Sequence, residues 1–169
     1  APLMSELEAI MIADFVDQFV KEMASYAALK KHTLIFNKAE DTAWSVQMNK
    51  KSLYNVLQNL VSNAIDYSPA DTAVTISLKQ TASWVEVMVT NHGPVIPKAE
   101  GVHLFERFYR GDSAKQIKAE GTGLGLYIVK LIINGVGGKV GFTSEAATGT
   151  KFWFTLPLQD TIIKLGENN

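Results

Sequence analysis

An α+β sandwich, in which a sheet is covered on one face by helices, is the fold class this 169-residue sequence predicts. Three patterns point to it. Val74, Ile76 and Leu78, then Val85, Val87 and Val89, then Phe152, Phe154 and Leu156 alternate with less apolar positions, the period of half-buried strands. Three other stretches carry apolar stripes at spacings of three and four, the period of helices packed on one side. Short polar breaks between neighbouring strands suit hairpins, so antiparallel pairing is expected.

Taken in order, Ser5-Glu6-Leu7-Glu8 has capping-box spacing, and Val16, Phe19, Val20, Met23 and Ala27 form the apolar face of a first helix. Leu34 with Phe36, and Trp44 with Val46 and Met48, alternate as strands around a polar turn from Asn37 to Thr42. Asn49 is placed to cap a helix over 50–67, whose buried stripe is Leu53, Leu57, Leu60, Val61, Ala64 and Ile65. Ser68-Pro69 closes it. The next two strands are separated by Gln80 to Ser83, and Asn91 to Pro97 is a loop by its Gly and Pro content. Residues 111–122 are polar. Gly123 opens a helix carrying Leu126, Val129, Ile132 and Ile133, ended by Gly135 and the Gly137-Gly138 pair. Val140 and Phe142 then pair with the last strand around Thr148-Gly149-Thr150.

Composition removes several classes of function. With 16 Lys+Arg against 17 Asp+Glu, the net charge of −1 excludes a broad nucleic-acid footprint. Zero cysteines exclude disulfides and thiolate metal sites. No stretch approaches the ~18 apolar residues that span a bilayer, so no membrane contact is expected of the chain itself. The 47% hydrophobic content supports one packed domain.

Four stretches carry possible chemistry. Asn55, Asn59 and Asn63 are spaced by four with Asp66 three further on, so one helix face presents amides and a carboxylate. This is either a solvated face or a row of hard oxygen ligands suited to Mg²⁺ beside phosphates. Asn91-His92-Gly93-Pro94-Val95-Ile96-Pro97 follows a strand and is either an ordinary turn or a seat for a flat heterocycle against Ile96. Leu104-Phe105-Glu106-Arg107-Phe108-Tyr109-Arg110, with Lys115 and Lys118 beyond, pairs core-forming aromatics with two arginines suited to phosphate oxygens. Gly121-Thr122-Gly123-Leu124-Gly125 precedes a helix, where open N–H groups and the helix dipole favour an anion. A dinucleotide fingerprint is excluded by Leu126 at the sixth position, and a P-loop by the missing Gly-Lys-Ser/Thr.

In combination and order these stretches resemble the ATP-binding catalytic domain of sensor histidine kinases, in the GHKL ATPase superfamily. Asn55 to Pro69 resembles the N box, Asn91 to Pro97 the first glycine box, Leu104 to Arg110 the F box and Gly121 to Leu126 the second glycine box. The resemblance implies a two-layer Bergerat-type fold with a mixed, mostly antiparallel sheet, residues 14–158 forming the ATP domain and 159–169 a tail. Residues 1–13 are expected to be the end of a preceding helical hairpin. It further implies Mg²⁺ on Asn63 and Asn59, adenine stacked by Tyr67 and read by Asn91, and a base pocket lined by Gly93, Val95 and Ile96. Asp66 would lie beside the phosphates. Arg107 and Arg110 would reach those phosphates from a lid over 106–122, with Gly121, Thr122, Gly123, Leu124, Gly125 and Leu126 close to the triphosphate. Asn63, Arg107 and Arg110 would carry transfer of the γ-phosphate.

Three residues depart from the family pattern. Asn91 stands for an aspartate, Val95 for a second glycine and Asp66 for a frequent basic residue. They motivate an alternative, a catalytically weakened nucleotide-sensing or interaction module of the same superfamily. The histidines His32, His92 and His103 are followed by Thr33, Gly93 and Leu104, none matching a phosphoacceptor with an acidic neighbour. The acceptor is therefore expected on a separate dimerisation hairpin. The implied partners are that hairpin and a downstream response regulator, with this segment monomeric and cytoplasmic and its parent membrane-anchored in some family members.

Overall fold

The computed structural model describes residues 6–38, 44–81, 83–111 and 123–159. A five-stranded mixed sheet runs in the order β2-β4-β5-β7-β6, built from β2 (His32–Asn37), β4 (Thr72–Thr81), β5 (Trp84–Asn91), β6 (Val140–Glu145) and β7 (Gly149–Pro157). Only β2 and β4 pair in parallel; the other three ladders are antiparallel. A second, two-stranded sheet joins β1 (Glu8–Met11) to β3 (Ser45–Met48). Among the described residues the helices are α1 (Ile12–Leu29), α2 (Lys50–Asp66), the one-turn α3 (Lys98–Gly101) and α4 (Gly125–Gly135).

One face of the large sheet meets the helices. Along β5, Val85, Val87 and Val89 are buried while Trp84, Glu86 and Met88 on the other face are half-buried. Those valines join Phe154 and Leu156 from β7, Phe19 from α1, Leu57 and Ile65 from α2 and Ile133 from α4 in a single core. Period 2 in the strands and period 3.6 in the helices thus converge on one apolar layer, the expected sandwich. Asn49 caps α2 as its sequence position predicts, its side chain accepting from the Ser52 N–H at 3.0 Å. The end of α4 also follows expectation: Gly137 adopts φ +82° and Gly138 N–H closes on Ile133 O at 2.9 Å.

The amino-terminal reading requires correction. Ser5 of the capping-box spacing lies outside the described residues, and no helix follows directly at Glu6 to Glu8: Glu8–Met11 is strand β1, and the helix begins at Ile12. Ile10 lies opposite Val46 and both are buried, so strand pairing puts an apolar residue in the core that an early helix would not need. Met11 offers no capping side chain; instead the Ile12 N–H donates to Trp44 O at 3.1 Å, satisfying one orphan donor of the first turn. Helix α1 runs from Ile12 to Leu29 across residue 14, and β1 pairs with β3 ahead of it. The carboxyl-terminal residues 160–169 lie outside the described residues.

Candidate nucleotide site

The carboxyl-terminal half of α2, the loop after β5, the aromatic segment before residue 111 and the start of α4 enclose one cavity of about 320 Å³, within the size range of small-molecule sites. From α2 and its end come Asn59, Ser62, Asn63, Asp66 and Tyr67; from the loop Asn91, Gly93, Pro94 and Ile96. Leu104, Tyr109, Arg110 and Gly111 close another side, and Gly123, Gly125 and Leu126 a third. Four stretches far apart in sequence therefore share one space.

The amide row is ordered by its own hydrogen bonds. Asn59 Nδ2 donates to Asn55 O at 2.9 Å and to Asn55 Oδ1 at 2.5 Å, which turns Asn59 Oδ1 away from Asn55. That oxygen faces the first turn of α4, where a β-carbon added to Gly125 would lie 2.8 Å from it. Asn63 lines the same wall, one turn on. Asparagines on consecutive turns can supply neutral amide oxygens, hard donors of the kind Mg²⁺ takes beside phosphates, so the residues present fit that ion.

Asn91 ends β5 and is 5% exposed. Its Nδ2 donates to Ser68 Oγ at 2.9 Å, and Ser68 Oγ donates to Ala64 O at 2.6 Å. Beside it Gly93 is held against the end of α2: a β-carbon there would come within 2.4 Å of Tyr67 O. Ile96 is fixed by its N–H donating to Ser144 Oγ at 2.9 Å, and Ser144 Oγ lies 2.7 Å from Thr150 Oγ1. Thr150, 4% exposed, and Phe152 form part of the wall from β7.

The aromatic segment forms turns rather than a helix. Phe105 packs edge-on against Phe152 with ring centroids 6.2 Å apart, and Phe152 stacks on Phe142 at 5.9 Å. These rings anchor the segment to the sheet. Gly101 permits the approach, since a β-carbon there would fall 2.2 Å from Phe142 Cζ.

Of the residues expected at the site, Asn59, Asn63, Asp66, Tyr67, Asn91, Gly93, Ile96, Arg110, Gly123, Gly125 and Leu126 line the cavity. Val95 is not among the lining residues and is 44% exposed. Arg107 also lies outside the lining, its guanidinium 4.9 Å above the Phe108 ring. Leu124 is the residue before α4 and its side chain is not in the wall. Gly121 and Thr122, with Lys115 and Lys118, lie outside the described residues. Sequence reading missed Ser62, Leu104, Tyr109, Gly111, Thr150 and Phe152 as wall residues. Leu104 and Tyr109 sat within a motif already singled out, whereas Thr150 read as part of a hairpin turn and Phe152 as an ordinary strand residue. None of the three histidines lines the cavity.

Comparison with known proteins agrees with this geometry. The family model described as "Histidine kinase-, DNA gyrase B-, and HSP90-like ATPase" matches residues 48–160. The chain belongs to that family, and membership implies ATP binding. Its relatives narrow the class to sensor kinases. It is 34% identical over 151 residues to the sensor protein IrlS of Burkholderia pseudomallei, covering 89% of this chain and 31% of that protein. It is 34% identical over 133 residues to the sensor histidine kinase WalK of Bacillus subtilis, covering 78% of this chain and 22% of that protein. The chain thus spans a third or less of these relatives. Among solved structures, the catalytic domain of histidine kinase ThkA superposes with a TM-score of 0.77 at 26% identity, covering 90% of this chain and 95% of that one. The mycobacterial sensor histidine kinase MprB gives 0.75 at 25% identity over 90% and 98%. The mixed sheet with one helical layer is the ATP-binding catalytic-domain fold of these kinases. Among the described residues no helix is long and apolar enough to cross a membrane.

Proposed function

We propose that this domain binds Mg·ATP and presents its γ-phosphate to a histidine on a dimerisation hairpin of the parent protein, from which the phosphoryl group passes to a response regulator. The observation that carries the reading is the single cavity joining Asn59 and Asn63 of α2, Asn91, Arg110 and the amino-terminal turn of α4. Phosphoryl transfer needs little covalent help from a protein; positioning and charge neutralisation supply most of the rate. Asn63 and Asn59 would hold Mg²⁺, which neutralises phosphate charge when bound. Tyr67 and Ile96 would flank the adenine, whose amino group would donate a hydrogen bond to Asn91 Oδ1. Arg110 would approach the phosphate oxygens, with Arg107 at the lid's base, and Gly123 and Gly125 leave backbone N–H groups near the triphosphate.

A weakened nucleotide-sensing module is the second reading, favoured by Asn91 and Asp66 in the wall. The two readings separate on one experiment. The domain is incubated with labelled ATP, Mg²⁺ and a separately purified hairpin from the parent protein. Phosphate on the hairpin's histidine, lost in Asn63→Ala with its circular dichroism unchanged, supports the kinase. Transfer by Asn63→Ala at the wild-type rate refutes the metal assignment, and nucleotide binding without transfer favours the sensing module.

A further inference from the structure

We infer that Ser68 is a specificity-determining residue: by fixing which way the Asn91 amide faces, it makes the site select a 6-aminopurine nucleotide over a 6-oxopurine one. The inference rests on the nucleotide reading above and goes beyond it. An asparagine differs from an aspartate in carrying both a donor and an acceptor, so its orientation decides which base edge it can read. Turned one way it accepts from the amino group of adenine; turned the other it donates to the carbonyl of hypoxanthine. Some neighbour must break that symmetry.

Hydrogen-bond accounting identifies the neighbour. Ala64 lies in the last turn of α2, where backbone carbonyls run out of helical donors. The Ser68 N–H bonds to Ile65 O at 3.4 Å rather than to Ala64 O, and Pro69 has no N–H to offer. Ala64 O is served instead by the Ser68 hydroxyl at 2.6 Å. A hydroxyl has one proton, and this one is committed to an atom that can only accept. Toward Asn91, Ser68 Oγ is therefore an acceptor, and the group it meets at 2.9 Å must be the amide nitrogen. No buried side-chain nitrogen or oxygen among the described residues lacks a partner. Asn91 Oδ1, which accepts from none of them, is thus the atom open to the cavity that Asn91 lines. The wall presents an acceptor, the match for an exocyclic amine.

The test compares ATP with ITP, which differ at the purine 6-position and its N1 proton, as competitors of a fluorescent ATP analogue bound to the domain with Mg²⁺. The wild type is expected to prefer ATP by roughly tenfold or more, the worth of one made against one unmade buried hydrogen bond. Ser68→Ala frees the amide to turn, and its preference is expected to fall to within about threefold, through tighter ITP binding as well as weaker ATP binding. Ser68→Thr, which keeps the hydroxyl, is expected to retain the wild-type ratio. A purely structural role for Ser68 would weaken both nucleotides together, and an unchanged ratio in Ser68→Ala overturns the proposal. Equal wild-type affinity for ATP and ITP overturns it while leaving the nucleotide reading intact; no binding of either sinks both. Should Ser68→Ala not fold, nuclear Overhauser effects in the wild type decide. Contacts from the Asn91 amide protons to the Ser68 β protons support the assignment, and contacts from them to the bound base overturn it.

Discussion

The backbone N–H of Phe108 donates to the carbonyl oxygen of Gly123 at 2.9 Å, and both residues hold positive φ, +65° and +68°. One backbone hydrogen bond thus ties the aromatic segment to the turn before α4, with Tyr109, Arg110 and Gly111 on one side of it and Gly123 on the other all lining the cavity. Gly123 cannot be replaced cheaply: a β-carbon there would lie 2.6–2.8 Å from the Phe108 backbone, in a conformation L side chains disfavour by about 1–2 kcal/mol. Gly123→Ala is expected to lower the melting temperature by several degrees. It is also expected to weaken nucleotide binding about tenfold or more, because backbone, not a flexible side chain, must move. Differential scanning calorimetry and nucleotide titration of the same sample check both; unchanged affinity would show that this tie does not shape the site.

The two arginines of the aromatic segment should differ in kind. Arg110 lines the cavity, whereas Arg107 is exposed and stacks on the 62%-exposed Phe108 ring. Exposed cation–π pairs are worth roughly 0.5–1 kcal/mol, and nothing about that contact requires phosphate. Arg110→Ala is expected to reduce the rate of phosphate transfer to an acceptor hairpin by about 100-fold, as loss of a charged transition-state contact does. Arg107→Ala should cost about fivefold or less by loosening the Phe108–Gly123 tie. Equal losses would restore the expectation that both guanidinium groups reach the phosphates.

How far the sequence alone leads is shown by where it succeeds and fails. Alternation in β5 and the asparagine cap of α2 were readable because period and capping chemistry are local. The four motif stretches were readable as one site only through their joint order; each alone was an ordinary turn or helix face. β1 escaped because Ile10 is a strand residue only by virtue of Val46, a partner 36 positions away that no local period reveals. Val95 and Arg107 were placed at the site by motif position and are not among the residues that line this cavity; which side chains reach a cavity depends on backbone turns that sequence does not specify. Ser68 was taken only as a helix stop, since its second bond, to Asn91, spans 23 positions.

Gly93 should prove intolerant of the smallest side chain. Its missing β-carbon leaves room for Tyr67 O, which would otherwise sit 2.4 Å away, and for Asn91 Nδ2 at 3.0 Å. A methyl group must therefore push the loop off the end of α2, the junction that carries both Tyr67 and the Ser68–Asn91 pair. Gly93→Ala is expected to destabilise the domain by roughly 1–3 kcal/mol, the usual cost of overpacking. Nucleotide affinity should fall more than stability does, by tenfold or more at a temperature where the variant is fully folded. A variant that melts early yet binds normally would place the loop's role in the fold alone.

Asn55 is exposed and outside the cavity, yet it sets the direction of a residue within it. By accepting both protons of Asn59 Nδ2 it keeps Asn59 Oδ1 turned toward Gly125 and the start of α4. Asn55→Ala removes one of those two acceptors, the side-chain oxygen, and leaves the backbone carbonyl. A solvent-exposed bond of this sort contributes of order 0.5–1 kcal/mol, so Mg²⁺-dependent ATP affinity should drop about two- to fivefold with little change in melting temperature. Gly125→Ala attacks the same oxygen from the other side, since the new methyl would lie 2.8 Å from it, and should cost about tenfold. Titrations with and without Mg²⁺ distinguish orientation from simple crowding. If Asn55 acts through the metal-facing oxygen, its substitution weakens ATP binding only when Mg²⁺ is present, and an equal loss in chelator would assign Asn59 a steric role instead.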